Sequence, residues 1–280
     1  MWKDCLNGLW RAKLDPENVG MAQNWAQNAL TTKYEVRVPG CIQQLDALAE
    51  EYPPTAGMRN GYQGTWFAET TLTVSKLGKQ HVFLRLEGAN PACHLFVNGH
   101  YVSHHTHVIC PWESDVTAFV VEGENRVTVA ITEDYHQLYA GSRFCGVAWS
   151  GIFGSVYAEI SSAVRLSDLC LTEQGVSGMV TNHGGEDFAG DIHAQVLDVS
   201  GTIAVSVAAG EAQDFILPMD TAALPRWWDT DPTLLSVRLS CNQDEVVLRT
   251  GLRTFTTKGE RIVLNGSPVF LAGAGEEFES

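Results

Sequence analysis

Short segments in which apolar and polar residues alternate dominate the first 160 positions of the chain. Such alternation places every second side chain on one face, which is typical of a half-buried β-strand. Many short strands separated by turns predict a β-sandwich or jelly roll. Asn98-Gly99 suits a type I′ hairpin turn, because both residues tolerate positive φ. The strands predicted in this region are Thr70–Val74, Val82–Leu86, His94–Val97, Val127–Ile131 and Ile152–Ile160.

The same pattern resumes near Val164. The number of predicted strands here, over roughly 100 residues, is typical of an immunoglobulin-like sandwich. Helical signal is confined to Ile42–Glu51, which predicts one short helix ended by Pro53-Pro54. The strands predicted in this second region are Val164–Leu171, Gly190–Asp198, Thr202–Ala208, Asp214–Leu217, Thr233–Leu239 and Glu245–Thr250.

The last residues follow a different pattern. Gly259–Pro268 predicts a short hairpin, and Val269–Gly273 is a continuous apolar run. Such a run favours a strand buried on both faces, as in a parallel sheet. The sequence therefore predicts an all-β chain with boundaries after residues 162 and 257, which gives the segments 1–162, 163–257 and 258–280.

The net charge of the chain limits the kinds of macromolecule that we expect it to bind. The 280 residues include 33 acidic and 18 basic side chains, a formal net charge of −15. A chain of this charge repels phosphate backbones and anionic membranes, so we expect neither nucleic acid nor membrane as a partner. No stretch approaches the ~18 uninterrupted apolar residues of a membrane span.

Cysteine and histidine are the residue types of this chain from which a metal site or redox chemistry would first be expected. The seven cysteines show no Cys-x-x-Cys spacing, so they are interpreted as separate thiols in a reducing compartment. No signal peptide is visible at the start, which favours a cytoplasmic location. His105 and His107 would share one face of a strand, but two ligands leave a metal site incomplete. We therefore interpret His104, His105 and His107 as a polar loop and expect no metal and no cofactor.

A series of short motifs, taken in their order along the chain, resembles glycoside hydrolase family 2, the family of β-galactosidases, β-glucuronidases and β-mannosidases. The resemblance covers nearly the whole chain, and the common order of the motifs carries it more than any one of them. The most specific run of the first domain is His94–His100, Pro111–Trp112, Asp115–Thr117 and Gly123–Val127. The other motifs are Leu6–Trp10, Val38–Gly40, Ser150–Phe153, Leu224–Asp229, Gly251–Phe255 and Leu264–Leu271.

This resemblance implies a jelly-roll sugar-binding-type domain, then an immunoglobulin-like β-sandwich, then a catalytic TIM barrel. Such a barrel needs ~250 residues, and 23 residues follow Thr257. We therefore expect only the first strand of a truncated barrel. Retaining glycosidases need two carboxyl groups ~5 Å apart, and in the family both are glutamates on later barrel strands. No acid of this chain corresponds to them, so we assign no catalytic residue.

The resemblance also implies where a sugar would be contacted. Several family members place an aspartate of the front domain in the sugar pocket, a few residues before the Ser-Gly-Ile-Phe-like motif. That position falls on Cys145, and a thiol is only a weak hydrogen-bond acceptor. Arg143 could supply a fork of donors and Trp149 a stacking face. The alternative for Trp149 is a packing role in the core.

These observations leave three hypotheses for function. The first is the non-catalytic front part of a family 2-like glycoside hydrolase, which binds a β-glycoside within the whole enzyme. The second is a free-standing carbohydrate-binding module without hydrolase activity, and the third is a structural domain with no ligand. The sequence leaves open the sugar, its linkage and assembly into a homo-oligomer.

Overall fold

A computed structural model describes residues 2–55, 58–78, 80–106, 110–132, 149–242 and 244–273. Its regular structure consists of β-strands and short 3₁₀ turns, which confirms the predicted all-β class. The described residues divide into two compact units, the first ending at Ile160 and the second beginning at Ser161. No helix among the described residues has the length and apolar character that spanning a bilayer requires.

The first unit is a jelly-roll-like sandwich. One of its sheets has the strand order β3-β2-β5-β11-β8-β9, another the order β1-β13-β6-β10, and a smaller one the order β4-β12-β7. The strands are β1 (Trp2–Cys5), β2 (Gly8–Asp15), β3 (Tyr34–Val38), β4 (Gly40–Cys41), β5 (Thr65–Val74), β6 (His81–Leu86), β7 (Ala89–Asn90), β8 (Ala92–Val97), β9 (His100–His105), β10 (Trp112–Asp115), β11 (Gly123–Thr132), β12 (Gly151–Ile152) and β13 (Val156–Ser161). One apolar core lies between the two larger sheets, and it includes Trp10, Trp66, Leu84 and Ala158.

Strand β5 shows why sequence alternation captured only part of the sheet. Its second half, from Thr70, alternates between buried and exposed residues, and this is the half that the sequence predicted. Its first half, Thr65–Glu69, is buried on both faces. A segment covered on both faces carries no period-2 signal. At the β8–β9 turn, Asn98 and Gly99 have φ of 51° and 86°, as a type I′ turn requires.

Two local predictions for the first unit were wrong. Ile42–Glu51 forms the 3₁₀ turns Ile42–Gln44 and Asp46–Leu48, not a longer helix. The Asn60 side chain donates to the carbonyls of Ile42 and Leu45, which occupies acceptors that a continuing helix would use. The predicted strand Ile152–Ile160 is divided into two strands, β12 and β13. The amides of Phe153 and Gly154 both donate to the Gly88 carbonyl, and two successive amides that bond one carbonyl interrupt the strand.

The second unit is a sandwich of two facing sheets with a small additional hairpin sheet. The sheet orders are β14-β15-β18, β17-β16-β19-β20 and β21-β22-β23. The strands are β14 (Val164–Thr172), β15 (Gly175–Asn182), β16 (Phe188–Val196), β17 (Val199–Val207), β18 (Ala212–Pro218), β19 (Leu235–Cys241), β20 (Asp244–Thr250), β21 (Phe255–Lys258), β22 (Arg261–Leu264) and β23 (Ser267–Pro268). Aliphatic side chains from both facing sheets, such as Val176, Leu217, Ile192 and Val237, form its core, as in an immunoglobulin-like domain.

Sequence analysis missed β15 and wrongly predicted a buried strand after the last hairpin. Strand β15 contains two glycines and small polar residues, which dilute the strand signal. The predicted hairpin within Gly259–Pro268 is present as β22 and β23. The prediction of a buried strand at Val269–Gly273 was wrong. Among the described residues, the Val269 amide donates to the Ile262 carbonyl, but no strand pairs with the rest of the segment, and Phe270 is 90% exposed. An apolar run alone does not make a strand without a sheet to bury it.

Candidate sugar-binding site

The candidate site is centred on Trp149 and the strand that follows it in the first unit. Trp149 is half-buried and leads directly into Ser150 and β12. The other two residues predicted to contact sugar, Arg143 and Cys145, lie outside the described residues. The structure therefore locates one of the three predicted contacts and the polypeptide that supports it.

Ser150 is fixed by three hydrogen bonds. Its amide donates to Oε1 of Gln43 at 3.0 Å, and its carbonyl accepts from the Ile42 amide at 2.9 Å. Its hydroxyl accepts from Nε1 of Trp66 at 2.7 Å. Ser150 is 2% exposed, so all three bonds lie out of contact with water. With its amide, carbonyl and hydroxyl oxygen all bonded in the interior, this residue holds the chain next to Trp149 in one conformation.

The residues on either side of Ser150 are held equally closely. Nδ2 of Asn90 donates to the Trp149 carbonyl. Gly151 pairs with Cys41 on one side and Asn90 on the other, as the middle strand of β4-β12-β7. A Cβ atom at Gly151 would stand 2.2 Å from the Gly40 carbonyl oxygen, so a side chain cannot fit there. This close approach gives the Ser-Gly-Ile-Phe motif its physical reason.

Buried amide side chains form a further layer behind this segment. Nε2 of Gln43 donates to the Tyr62 carbonyl at 2.9 Å, and the Tyr62 amide donates to Oδ1 of Asn60 at 3.0 Å. Gln43 and Asn60 are 1% and 0% exposed. Sequence analysis missed these residues, because the local sequence does not distinguish a buried Gln or Asn from one exposed to water. The turn-forming pairs Asn60-Gly61 and Asn90-Pro91 were the available signals.

One acceptor at the site is not used by the described residues. Oδ1 of Asn90 is buried and has no hydrogen-bond partner among them. The same side chain bonds the Trp149 carbonyl through its nitrogen. The amide is thus oriented, and it retains one uncommitted acceptor beside Trp149.

The nearby thiol is a poor nucleophile. Burial raises the pKa of the Cys41 thiol to about 11, although hydrogen bonds with Gln44 and Gln43 oppose the shift. A thiol with this pKa is protonated at neutral pH, and the thiolate is the reactive form. The Cys41 thiol is therefore unsuited to nucleophilic chemistry at this segment.

The histidines considered for a metal site have other contacts. The ring of His104 stacks on His94 with centroids 4.3 Å apart, and the ring of His105 stacks on Trp112 at 4.5 Å. His107 lies outside the described residues. Within the described ranges, no group of three or more His, Cys, Asp and Glu side chains is arranged to hold a metal ion.

Comparison with known proteins decides the family. Residues 4–158 match the sugar binding domain of glycosyl hydrolases family 2. The chain belongs to glycosyl hydrolase family 2. This confirms the resemblance found in the sequence, and the matched range contains Gln43, Asn90 and Trp149.

Relatives of known activity agree with this assignment. A β-glucuronidase of Paenibacillus borealis is 25% identical over 98% of this chain and 49% of its own length. A β-galactosidase of Thermoanaerobacter pseudethanolicus is 24% identical over 75% of this chain and 31% of its own length. The structure of a Ruminococcus gnavus β-glucuronidase in complex with D-glucuronic acid has a TM-score of 0.69 at 18% identity, and the match covers 97% of this chain and 49% of that one. The chain spans about half the length of such β-glucuronidases.

Proposed function

We propose that this chain supplies the sugar-recognition region of a family 2 glycoside hydrolase and does not hydrolyse glycosides by itself. The observation that carries the proposal is the set of three hydrogen bonds that fix Ser150 inside the sugar binding domain. All three are bonds within the chain, so the position of the backbone beside Trp149 does not depend on a ligand contact. A contact that is already ordered loses less entropy on binding.

The proposed contacts follow from side-chain chemistry. The half-buried indole of Trp149 offers an apolar face to the C–H groups of a pyranose ring. Arg143 would donate to hydroxyl or carboxylate oxygens as a planar fork. Cys145 stands where family members present an aspartate, and its thiol accepts hydrogen bonds weakly. The names of the relatives make β-glucuronides and β-galactosides the first substrates to try.

Calorimetric titration of the purified chain with methyl β-D-glucuronide, β-D-galactoside and β-D-mannoside tests this proposal. Replacing Trp149 with alanine is expected to weaken binding of the preferred sugar by about tenfold, the order of one aromatic contact. Trp228→Ala is the matched control, because Trp228 is also half-buried but lies in the second unit. Equal affinities of the Trp149→Ala variant and the unchanged chain would contradict the assigned contact.

A hydrolysis assay tests the second half of the proposal. The 280-residue chain is expected to release no nitrophenol from 4-nitrophenyl β-D-glucuronide or β-D-galactoside above the uncatalysed rate. Turnover at the rate of an ordinary glycosidase would overturn the proposal that catalysis needs residues beyond these.

We also propose a cytoplasmic location and a homo-oligomeric assembly. The location is supported by the thiols of Cys5, Cys41, Cys93, Cys110, Cys170 and Cys241, which are all free in the described part of the chain. Light scattering on the purified chain measures its mass in solution, and a monomer at all concentrations would exclude self-assembly of this region.

A further inference from the structure

The outer face of the sheet β3-β2-β5-β11-β8-β9 carries an unusual set of side chains. The strand registers align residues across the sheet in two adjacent rows. One row runs Lys13, Phe67, Ala130, His94, His104, and the other runs Arg11, Glu69, Thr128, Phe96, Tyr101. Large aromatic side chains thus stand on either side of the small residues of β11, which leaves a depression over that strand.

A loop covers part of this depression and encloses a cavity. The loop of residues 18–30 packs its Leu30, Met21 and Trp25 against Phe67 and Ala130. The remaining space is a cavity of about 170 Å³ between the loop and the β8–β9 hairpin. Pockets for drug-sized ligands have ~300–1,000 Å³, so this volume suits one small ring. The residues around it are Gly20, Met21, Asn24, Trp25, Ala26, Gln27, Phe67, Phe96, Gly99 and Tyr101.

The walls of the cavity combine aromatic surface with uncommitted polar groups. Tyr101 is 51% exposed, and its ring packs edge-on against Phe96 with centroids 5.5 Å apart. The side chains of Asn24 and Gln27 are exposed and make no hydrogen bond to the described residues. A ligand that fits must present an apolar face to Tyr101 and hydroxyl groups to the two amides.

We propose that this cavity binds a single neutral pyranose ring. A pyranose has an apolar face of C–H groups and a rim of hydroxyls, which matches the two kinds of wall. The site goes beyond the proposed function, because it shares no residue with the Trp149 segment.

The loop is held by buried charges, which makes the cavity a built feature. Nη2 of Arg126 donates to the carbonyls of Ala26 at 3.0 Å and Gln27 at 2.8 Å. The Glu69 carboxylate, 4% exposed, accepts from the Leu30 amide at 3.1 Å and lies 3.4 Å from Nε of Arg126. Burying such charges is costly unless they are paired. Here the two charges lie beside each other and bond backbone groups of the loop, which anchors it to β5 and β11.

The opposite wall also requires a specific residue. Gly99 has φ of 86°, and a Cβ there would approach the Gln27 Cα to 2.9 Å. The hairpin turn and the loop can therefore meet only because this residue has no side chain. The cavity thus depends on the β8–β9 turn as well as on the loop.

Charge selects the class of sugar. None of the side chains that line the cavity is charged, and the formal net charge of the chain is −15. The two cations behind the lining are already engaged: Nζ of Lys13 lies over the Trp25 ring, and Arg126 bonds the Ala26 and Gln27 carbonyls. An anionic sugar would lose hydration without gaining a cationic partner. The cavity therefore favours a neutral hexose over a uronic acid.

Calorimetry and saturation-transfer NMR on the 280-residue chain test the proposal. The probes are methyl β-D-glucopyranoside and methyl β-D-galactopyranoside, with methyl β-D-glucuronide as the anionic comparison. Tyr101→Ala is expected to weaken binding of the preferred neutral glycoside by about tenfold. The double variant Asn24→Ala, Gln27→Ala is expected to do the same, and it serves as the second probe if Tyr101→Ala lowers the melting temperature.

Two further variants separate this site from the Trp149 segment. Phe255→Ala is the matched control that should leave neutral-glycoside binding unchanged, because Phe255 is 57% exposed and lies in the second unit. In a Trp149→Ala background, Tyr101→Ala is still expected to weaken neutral-glycoside binding by about tenfold. Binding that is lost with Trp149→Ala but kept with Tyr101→Ala would overturn the cavity proposal and leave the proposed function intact. Absence of binding by either neutral glycoside, loss of binding with Phe255→Ala, or tighter binding of the glucuronide in a Tyr101-dependent manner would each also overturn it.

Discussion

Strands β5 and β16 occupy interior positions in their sheets, yet they bury different kinds of residue. Strand β16 alternates, with Ile192, Ala194 and Val196 in the core and exposed residues between them. Strand β5 is buried on both faces in its first half, and it places the carboxylate of Glu69 there. The outer face of β5 is covered by the loop of residues 18–30, whereas that of β16 is exposed to water. The covered face of β5 contributes Phe67 to the cavity that we propose binds a neutral pyranose.

The strongest way to break this comparison is to remove the buried charge from β5. Glu69→Ala leaves Arg11, 3.1 Å away, and the partly buried Arg126 without their carboxylate partner. Removing one member of a buried ion pair costs about 3–5 kcal/mol. Because Arg11 is 44% and Arg126 25% exposed, solvent screens the charges that remain, and we expect the free energy of unfolding of the first unit to fall by the lower end of that range, about 3 kcal/mol. Urea titration followed by circular dichroism measures it.

The matched control for this change lies in the second unit. Glu245 is 63% exposed and lies 3.6 Å from Arg238. An exposed pair contributes only about 0–1 kcal/mol, so Glu245→Ala should change stability little. Equal losses for the two variants would mean that the covered face of β5 has no special energetic role.

A smaller effect is expected from the amide layer behind Trp149. Gln43→Ala leaves the Ser150 amide and the Tyr62 carbonyl without their partner. Unsatisfied buried groups cost about 1–3 kcal/mol, and we expect sugar affinity to fall as well because Trp149 loses its fixed position. The exposed Gln195 of β16 is the control, and its replacement by alanine should be within about 0.5 kcal/mol of neutral. Unfolding curves and calorimetry with the preferred glycoside give both readouts.

The smallest effect concerns the pH dependence of the first unit. Burial opposes ionisation of Asp115, but hydrogen bonds from Thr117 and His81 together outweigh it and hold the pKa of this carboxyl below its ordinary value of 3.8. A lowered folded-state pKa adds stability above the unfolded pKa, and this stability is lost as pH falls through the folded value. Asp115→Asn should therefore cost stability at pH 7 and less at pH 3.

Partial exposure limits the size of this pH effect. The side chain of Asp115 is 35% exposed, so solvent screening keeps its contribution within about 1 kcal/mol. Asp220, an exposed residue of the second unit whose carboxylate accepts from the Ala222 amide, is the control. If Asp115→Asn is equally destabilising at pH 7 and pH 3, the effect is one of packing and not of charge.

Strand prediction succeeded for several segments rich in β-branched residues, both where a strand is buried on both faces and where one face meets water. The predicted Val127–Ile131 lies within β11, and Glu245–Thr250 lies within β20. Prediction failed at Ile42–Glu51, because the Asn60 side chain, 18 positions from Ile42, binds the carbonyls that a helix would have used. It also failed at Val269–Gly273, where apolar character was interpreted as burial. Both errors concern partners that lie outside the local sequence.

At the candidate site, too, some residues were predictable from the local sequence and others depend on partners that are distant in the chain. The sequence motif Ser150–Phe153 and the choice of Trp149 came from the order of motifs along the chain. The roles of Gln43 and Asn90 became visible only when the fold brought them, 107 and about 60 positions away, to the backbone at Ser150 and Trp149. An amide that bonds a distant backbone is not distinguishable by its local pattern from one that bonds water.

The sequence by itself determined the all-β class, the two sandwiches and the family, because these depend on period-2 alternation and on motifs that are local in the chain. The tertiary structure alone decided which faces are covered, that Glu69 is buried, and that a cavity lies between residues 18–30 and the β8–β9 turn. The physical reason is that burial depends on what packs from elsewhere in the chain. A residue such as Glu69 or Gly99 acquires its role from contacts with the loop of residues 18–30, and no local pattern records those contacts.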